Sequence, residues 1–219
     1  MTDDKFVMRV GAIGGGAAAG LLAVMMGVGA SIGADFSNLG DSLVPRTVAH
    51  LFAAYRGEIQ TLMVVDNLFV LGYLVAFIGL ATATRRRAPL FAGIALGFAL
   101  ATGVLDFLEN SLTLGLLGVV TQNQTLFTAP TLTSESVLGL NLLGQVKYLC
   151  ANVAVVLFGI GMWSAERLHR VTAILFWLFA PLNVLAFVVP AFAAARILGM
   201  FALLILGAVV LGRQARAVE

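Results

Sequence analysis

Apolar residues occur in this chain as long runs, without the alternating or one-faced patterns of a soluble protein. A transmembrane helix needs about 20 mostly apolar residues. Six runs meet this length, at residues 8–33, 60–82, 88–113, 138–163, 171–189 and 194–212. Polar or turn-forming segments separate the runs. The pattern therefore predicts an all-α polytopic membrane bundle of six transmembrane helices, formed by residues 1–219 as a single domain.

The lysine and arginine residues indicate how the spans are oriented. If the N-terminus is cytoplasmic, nine of them lie on the cytoplasmic side: Lys5, Arg9, Arg85, Arg86, Arg87, Arg167, Arg170, Arg213 and Arg216. Three lie outside, namely Arg46, Arg56 and Arg196. Because cytoplasmic loops carry the excess of Lys and Arg, we expect both termini in the cytoplasm. The predicted location is the plasma membrane, which for a bacterium is the inner membrane.

Two segments in the N-terminal part of the chain, the first outer loop and the first span, have patterns that predict specific packing. In the first outer loop, residues 45–58 place Val48, Leu51, Phe52 and Tyr55 on one side of a helix that begins at a proline, which predicts a short amphipathic helix at the membrane interface. The first span carries two rows of small residues at spacings of four, one of Gly11, Gly15 and Ala19 and the other of Gly16 and Gly20. Such rows permit close helix packing, mainly inside the bundle and alternatively with a second copy or a partner protein.

The composition excludes several classes of function. Only 11% of the residues are charged and 60% are hydrophobic, whereas soluble domains have about 25% charged residues. A single cysteine permits no intrachain disulfide. His50 and His169 fall in predicted loops on opposite sides of the membrane, which argues against a haem held by two histidines. We therefore expect a lipid bilayer as the main partner, no metal, no cofactor and no nucleic acid.

The segment GVLDFLENSL, residues 103–112, departs from this apolar pattern. Asp106, Glu109 and Asn110 share one helix face in the third span. A carboxylate at the centre of a membrane helix costs about 2.5–3.5 kcal/mol even on mild insertion scales. This face is therefore predicted to point at other helices or at a water-filled cavity.

Other spans supply candidate partners for this face. The second span carries Asp66, with Tyr73 two turns away on the same side, and the fourth span carries Lys147. Asn141 and Gln145 form part of a separate stripe on the fourth span, and Arg196 begins the sixth. We expect these charges in the outer half of the membrane. The predicted site contains Asp66, Asp106, Glu109, Asn110 and Lys147, with Tyr73, Asn141, Gln145 and Arg196 in support.

The sequence leaves two interpretations of the polar residues open. In one, Lys147 and Arg196 pair with the acids and hold helices together, while Glu109 and Asn110 mark the point where the third helix meets outside water. In the other, the residues form a functional site, which is the default expectation for ionisable groups inside a membrane. Such a site would bind a lipophilic or cationic ligand or carry protons.

The same residues resemble those of a known group of proteins. The string LDFLEN, Asp66 early in the second span and Lys147 later in the chain are similar to features of uncharacterised bacterial multi-pass membrane proteins with an intramembrane L-D-x-x-E-N segment. This group has no known activity that the resemblance could imply. Our first hypothesis is therefore a ligand-binding or transport protein. The alternatives are a non-catalytic accessory subunit of a membrane complex and a lipid-modifying membrane enzyme.

Overall fold

The computed structural model describes residues 2–33, 42–125 and 132–217. Within these residues there are seven α-helices: α1 (Thr2–Ile32), α2 (Pro45–Ala54), α3 (Arg56–Thr84), α4 (Pro89–Thr125), α5 (Ser134–Met162), α6 (Arg167–Val188) and α7 (Ala193–Ala217). A 3₁₀ turn, Pro190–Phe192, precedes α7. Gly33 follows α1 with φ at +71°, the left-handed conformation with which glycine commonly ends a helix.

Six of the described helices, all except α2, are long and apolar enough to cross a bilayer. This confirms the predicted all-α protein with six candidate spans, and the chain is an integral, multi-pass membrane protein. The predicted orientation, with both termini in the cytoplasm, stays a prediction. The main difference in helix bounds concerns the third span, which was predicted to end near residue 113. The helix α4 continues to Thr125.

The first-loop helix is present and shorter than predicted. It begins at Pro45, ends at Ala54, and Tyr55 leaves the helical conformation before α3 begins at Arg56. Its apolar residues Val48, Ala49, Leu51 and Phe52 are buried. Val48, Ala49 and Phe52 belong to a core that includes residues of α3, α4 and α5. The apolar face of this amphipathic helix is thus covered by protein.

The described chain forms two compact units. One contains residues 2–20, 69–103 and 148–217, and the other contains the described parts of 21–68 and 104–147. Each unit has its own apolar core, with Phe158 and Phe176 in the first and Phe52 and Leu117 in the second. The unit boundaries fall inside α1, α3, α4 and α5, and the single domain of residues 1–219 stays a prediction.

Glycines bring α1 and α3 into backbone contact in the first unit. A Cβ atom added to Gly11 would lie 2.8 Å from the Cα atom of Gly79, and one added to Gly14 would lie 2.8 Å from the carbonyl oxygen of Gly72. The predicted close packing of the first span is therefore present inside the chain. Gly16 and Gly20 belong to the other predicted row, and added Cβ atoms there would meet nothing within 4 Å.

Candidate functional site

The segment GVLDFLENSL lies near the middle of α4. Seventeen helical residues precede Asp106 and fifteen follow Asn110, so both residues lie well inside the helix, and the point where this helix meets outside water stays a prediction. Asp106 and Asn110 are 6% and 4% exposed. The same face carries Thr113, which is also buried. As predicted, the polar face of this helix is covered by protein.

Lys147, on α5, is the positively charged residue of the site. Its Nζ atom lies 2.7 Å from Oδ1 of Asp106 and 2.6 Å from Oε2 of Glu109. The Lys147 side chain is only 12% exposed, and those of the two acids are 8% and 25% exposed. Asp106 and Glu109 are three residues apart on α4, so one ammonium group reaches both carboxylates from the facing helix. This arrangement is a largely buried, two-acid ion pair.

Gly144 of α5 lies beside the Glu109 carboxylate at ordinary van der Waals distance. A Cβ atom added to this glycine would lie 3.7 Å from Oε1 and 3.8 Å from Oε2 of Glu109. Among the described residues, Oε2 of Glu109 has the Lys147 ammonium beside it but no hydrogen bond of good geometry. The sequence did not indicate this contact of Gly144, since a lone glycine in an apolar span is ordinary.

The third acid, Asp66 on α3, accepts a hydrogen bond from the side-chain amide of Asn110. Asn110 donates a hydrogen bond from Nδ2 to Oδ2 of Asp66 at 2.7 Å and another to Oδ1 of Asn67 at 3.1 Å. Asp66 forms no ion pair with another described residue. It still interacts electrostatically with Asp106, Glu109 and Lys147. Asn110 therefore links the acid of α3 to the helix that carries the ion pair.

These five predicted site residues lie together in the second unit. We call Asp66, Asp106, Glu109, Asn110 and Lys147 the polar cluster. Three carboxyl groups and one ammonium group make it acid-rich. Bringing a carboxylate into a low-dielectric interior without a partner is costly, and the cost falls when it takes up a proton or binds a cation.

The predicted supporting residues have contacts of a different kind. Gln145 is exposed and donates a hydrogen bond to Asn141 along α5 at 2.7 Å. Tyr73 is buried in the first unit, between the rings of Phe69 and Phe77. The Arg196 guanidinium lies 4.7 Å from the centre of the Tyr148 ring, a cation–π contact. Asn141 and Gln145 therefore bond to each other on α5, and this hydrogen bond does not involve the polar cluster.

Two polar contacts in the first unit were not predicted. Asn183 of α6 is fully buried and donates a hydrogen bond to Asn152 of α5 at 2.8 Å. His169 was expected in a loop, with a surface or capping role; it lies in the first turn of α6 and is buried, with its Nδ1 2.7 Å from Glu166 and its Nε2 2.6 Å from Gln214. A lone asparagine in an apolar span was the available signal for the first contact. For the second contact, placing His169 in a predicted loop gave no indication that it would meet Gln214 of α7.

Within the described part of the chain, no three His, Cys, Asp or Glu side chains are grouped closely enough to hold a metal ion. Comparison with known proteins adds no assignment. The chain matches no family model, no curated protein and no solved structure. The resemblance to bacterial proteins with an L-D-x-x-E-N segment therefore stays a prediction.

Proposed function

We propose that the polar cluster binds protons and cationic groups, as the working site of a ligand-binding or transport protein of the plasma membrane. The observation that carries this proposal is that three carboxyl groups lie together with one ammonium group, which forms ion pairs with two of them, Asp106 and Glu109. If all four groups were ionised, the cluster would hold an excess of negative charge inside a membrane protein. A proton or a bound cation would remove part of that excess.

The contacts favour different tasks for the three acids. Asp106 is almost fully buried and paired with Lys147, so we assign it the role of holding that base in place. Glu109 is the more exposed of the two paired acids, and we assign it the first contact with an incoming cation. Asp66 accepts a hydrogen bond from Asn110 and has no ion pair among the described residues, which suits a group that gains and loses a proton.

Asn110 connects the acid proposed to bind the cation, Glu109, with the acid proposed to exchange the proton, Asp66. Its amide is bound to Asp66 and its backbone adjoins Glu109 in the same helix. A cation that draws Glu109 away from Lys147 would change the electrostatic field at Asp66, because all of these groups interact in a poorly screened site. We therefore expect cation binding at Glu109 to favour release of a proton from Asp66.

The test uses the purified full chain in detergent, a weakly buffered solution and a pH-indicator dye. Tetraphenylphosphonium, a lipophilic cation, serves as the probe, and its binding is measured in parallel by calorimetry. We expect cation binding to release protons, up to one for each cation bound, which is the limit for linkage to a single carboxyl group. Asp66→Asn should abolish the proton release, and Glu109→Gln should weaken cation binding. Asp3→Asn, which removes an exposed carboxyl group of α1, is the matched control.

Other results would contradict the proposal. If the unmodified protein neither binds the cation nor exchanges protons, and both variants only lower the melting temperature, the cluster serves packing alone. Native mass spectrometry of gently extracted protein distinguishes the next hypothesis. A stoichiometric protein partner would then favour an accessory subunit.

A further inference from the structure

A shallow depression lies on the outward face of α7, near its C-terminal end and in the first unit. Its volume is about 380 Å³, and it is lined by Ile205, Ala208, Val209, Gly212, Arg213 and Arg216. These residues recur at helical spacings. Leu203, Gly207 and Val210 occupy the opposite side of the helix and are buried. The depression therefore opens away from the protein core.

The depression has an apolar part and a basic end. Ala208 and Gly212 are small residues one helical turn apart. Ala208 lies at the edge of the depression beside α1, where a Cβ atom added to Gly15 would be 3.3 Å from the Ala208 Cβ atom. A Cβ atom added to Gly212 would meet nothing within 4 Å, so the space above this glycine is open. Ile205 and Val209 are exposed apolar residues. This part suits a hydrocarbon chain lying along the helix.

The basic end has no acidic partner among the described residues. Arg213 and Arg216 are exposed and three residues apart, which places both guanidinium groups on the same side of α7. Neither forms an ion pair or a hydrogen bond with another residue in the described part of the chain. Guanidinium groups bind phosphate oxygens in a two-pronged geometry. Two such groups side by side complement a ligand with net negative charge.

We infer that this depression binds one anionic phospholipid, whose phosphate contacts Arg213 and Arg216 and whose acyl chain lies over Ala208 and Gly212. Charge complementarity favours an anionic lipid over a zwitterionic one, because a zwitterionic headgroup has no net negative charge to balance the two arginines. The predicted orientation places this lipid in the cytoplasmic leaflet, where anionic lipids attract basic residues. The inference is independent of the function proposed for the polar cluster.

The experiment is a lipid titration of the full chain in detergent, followed by native mass spectrometry. Phosphatidylglycerol is compared with phosphatidylcholine, and glycerol phosphate is added as a soluble competitor. We expect one phosphatidylglycerol to be retained in preference to phosphatidylcholine. The double variant Arg213→Gln/Arg216→Gln should bind it about 25-fold more weakly, since each basic residue near an anionic lipid surface contributes about 1 kcal/mol, or roughly fivefold.

Two further variants separate a built site from general charge attraction. Gly212→Leu places a side chain in the open space of the depression, and it should also reduce retention of the lipid. Arg46→Gln/Arg56→Gln removes two exposed arginines elsewhere and should leave retention unchanged. Equal retention of both lipids would overturn the inference, as would unchanged binding in Gly212→Leu. Displacement by glycerol phosphate at concentrations similar to those of the lipid would also overturn it, by showing an anion site without a lipid chain.

Discussion

Replacing Lys147 tests the polar cluster most directly. Lys147→Gln keeps much of the side-chain length and removes the positive charge that contacts Asp106 and Glu109 at 2.7 and 2.6 Å. Both carboxylates would remain in a largely covered position without this base. We expect a large loss of stability, because removing one partner of a buried ion pair leaves an uncompensated charge.

The magnitude follows from the burial of the three groups. Lys147 and Asp106 are 12% and 8% exposed in their side chains, so solvent screens this pair little. Breaking a buried pair costs about 3–5 kcal/mol. The second acid does not double this cost, because one proton taken up between the Asp106 and Glu109 carboxylates would remove one of their two negative charges. Glu109→Gln alone leaves Lys147 paired with Asp106 and should cost less, about 1–3 kcal/mol.

The assay is the free energy of unfolding in mixed micelles, with Arg87→Gln as a control that removes an exposed positive charge. The control should change stability by less than about 0.5 kcal/mol. Adding Asp106→Asn and Glu109→Gln to Lys147→Gln should restore part of the lost stability, since this triple variant leaves no ionised group of the pair without its partner. Unchanged stability in Lys147→Gln, or a triple variant no more stable than the single one, would refute this reasoning.

Two further predictions concern packing in the first unit. Gly79→Ala should destabilise the protein by about 1–3 kcal/mol, because the added methyl group would overlap Gly11, whereas Gly16→Ala should be nearly neutral; thermal unfolding in detergent compares the two, and equal effects would contradict the described contact. Asn183→Ala should cost about 0.6–1.7 kcal/mol through loss of the hydrogen bond to Asn152. The double replacement of both asparagines should cost less than the sum of the single replacements, and strict additivity would argue against a direct hydrogen bond.

Local composition was sufficient to predict the helices. A backbone inside a bilayer must satisfy its hydrogen bonds within each segment, so six apolar runs indicated six helices without any knowledge of their packing. The same rule failed at the end of α4. A length of about 20 residues suggested an end near residue 113, but no proline interrupts the chain before Thr125, and the helical hydrogen bonds continue.

Helical periodicity places Asp106, Glu109 and Asn110 on one face, and exposing ionisable side chains to lipid is costly whatever the tertiary structure. The sequence alone was therefore enough to predict that this face avoids lipid. Which groups meet there depends on tertiary packing. Lys147 pairs with two acids of α4, and Asp66 contacts Asn110. Hydropathy leaves the rotation and vertical shift of each helix undefined, since an apolar run can slide by a turn at little cost. The packing of neighbouring helices sets both.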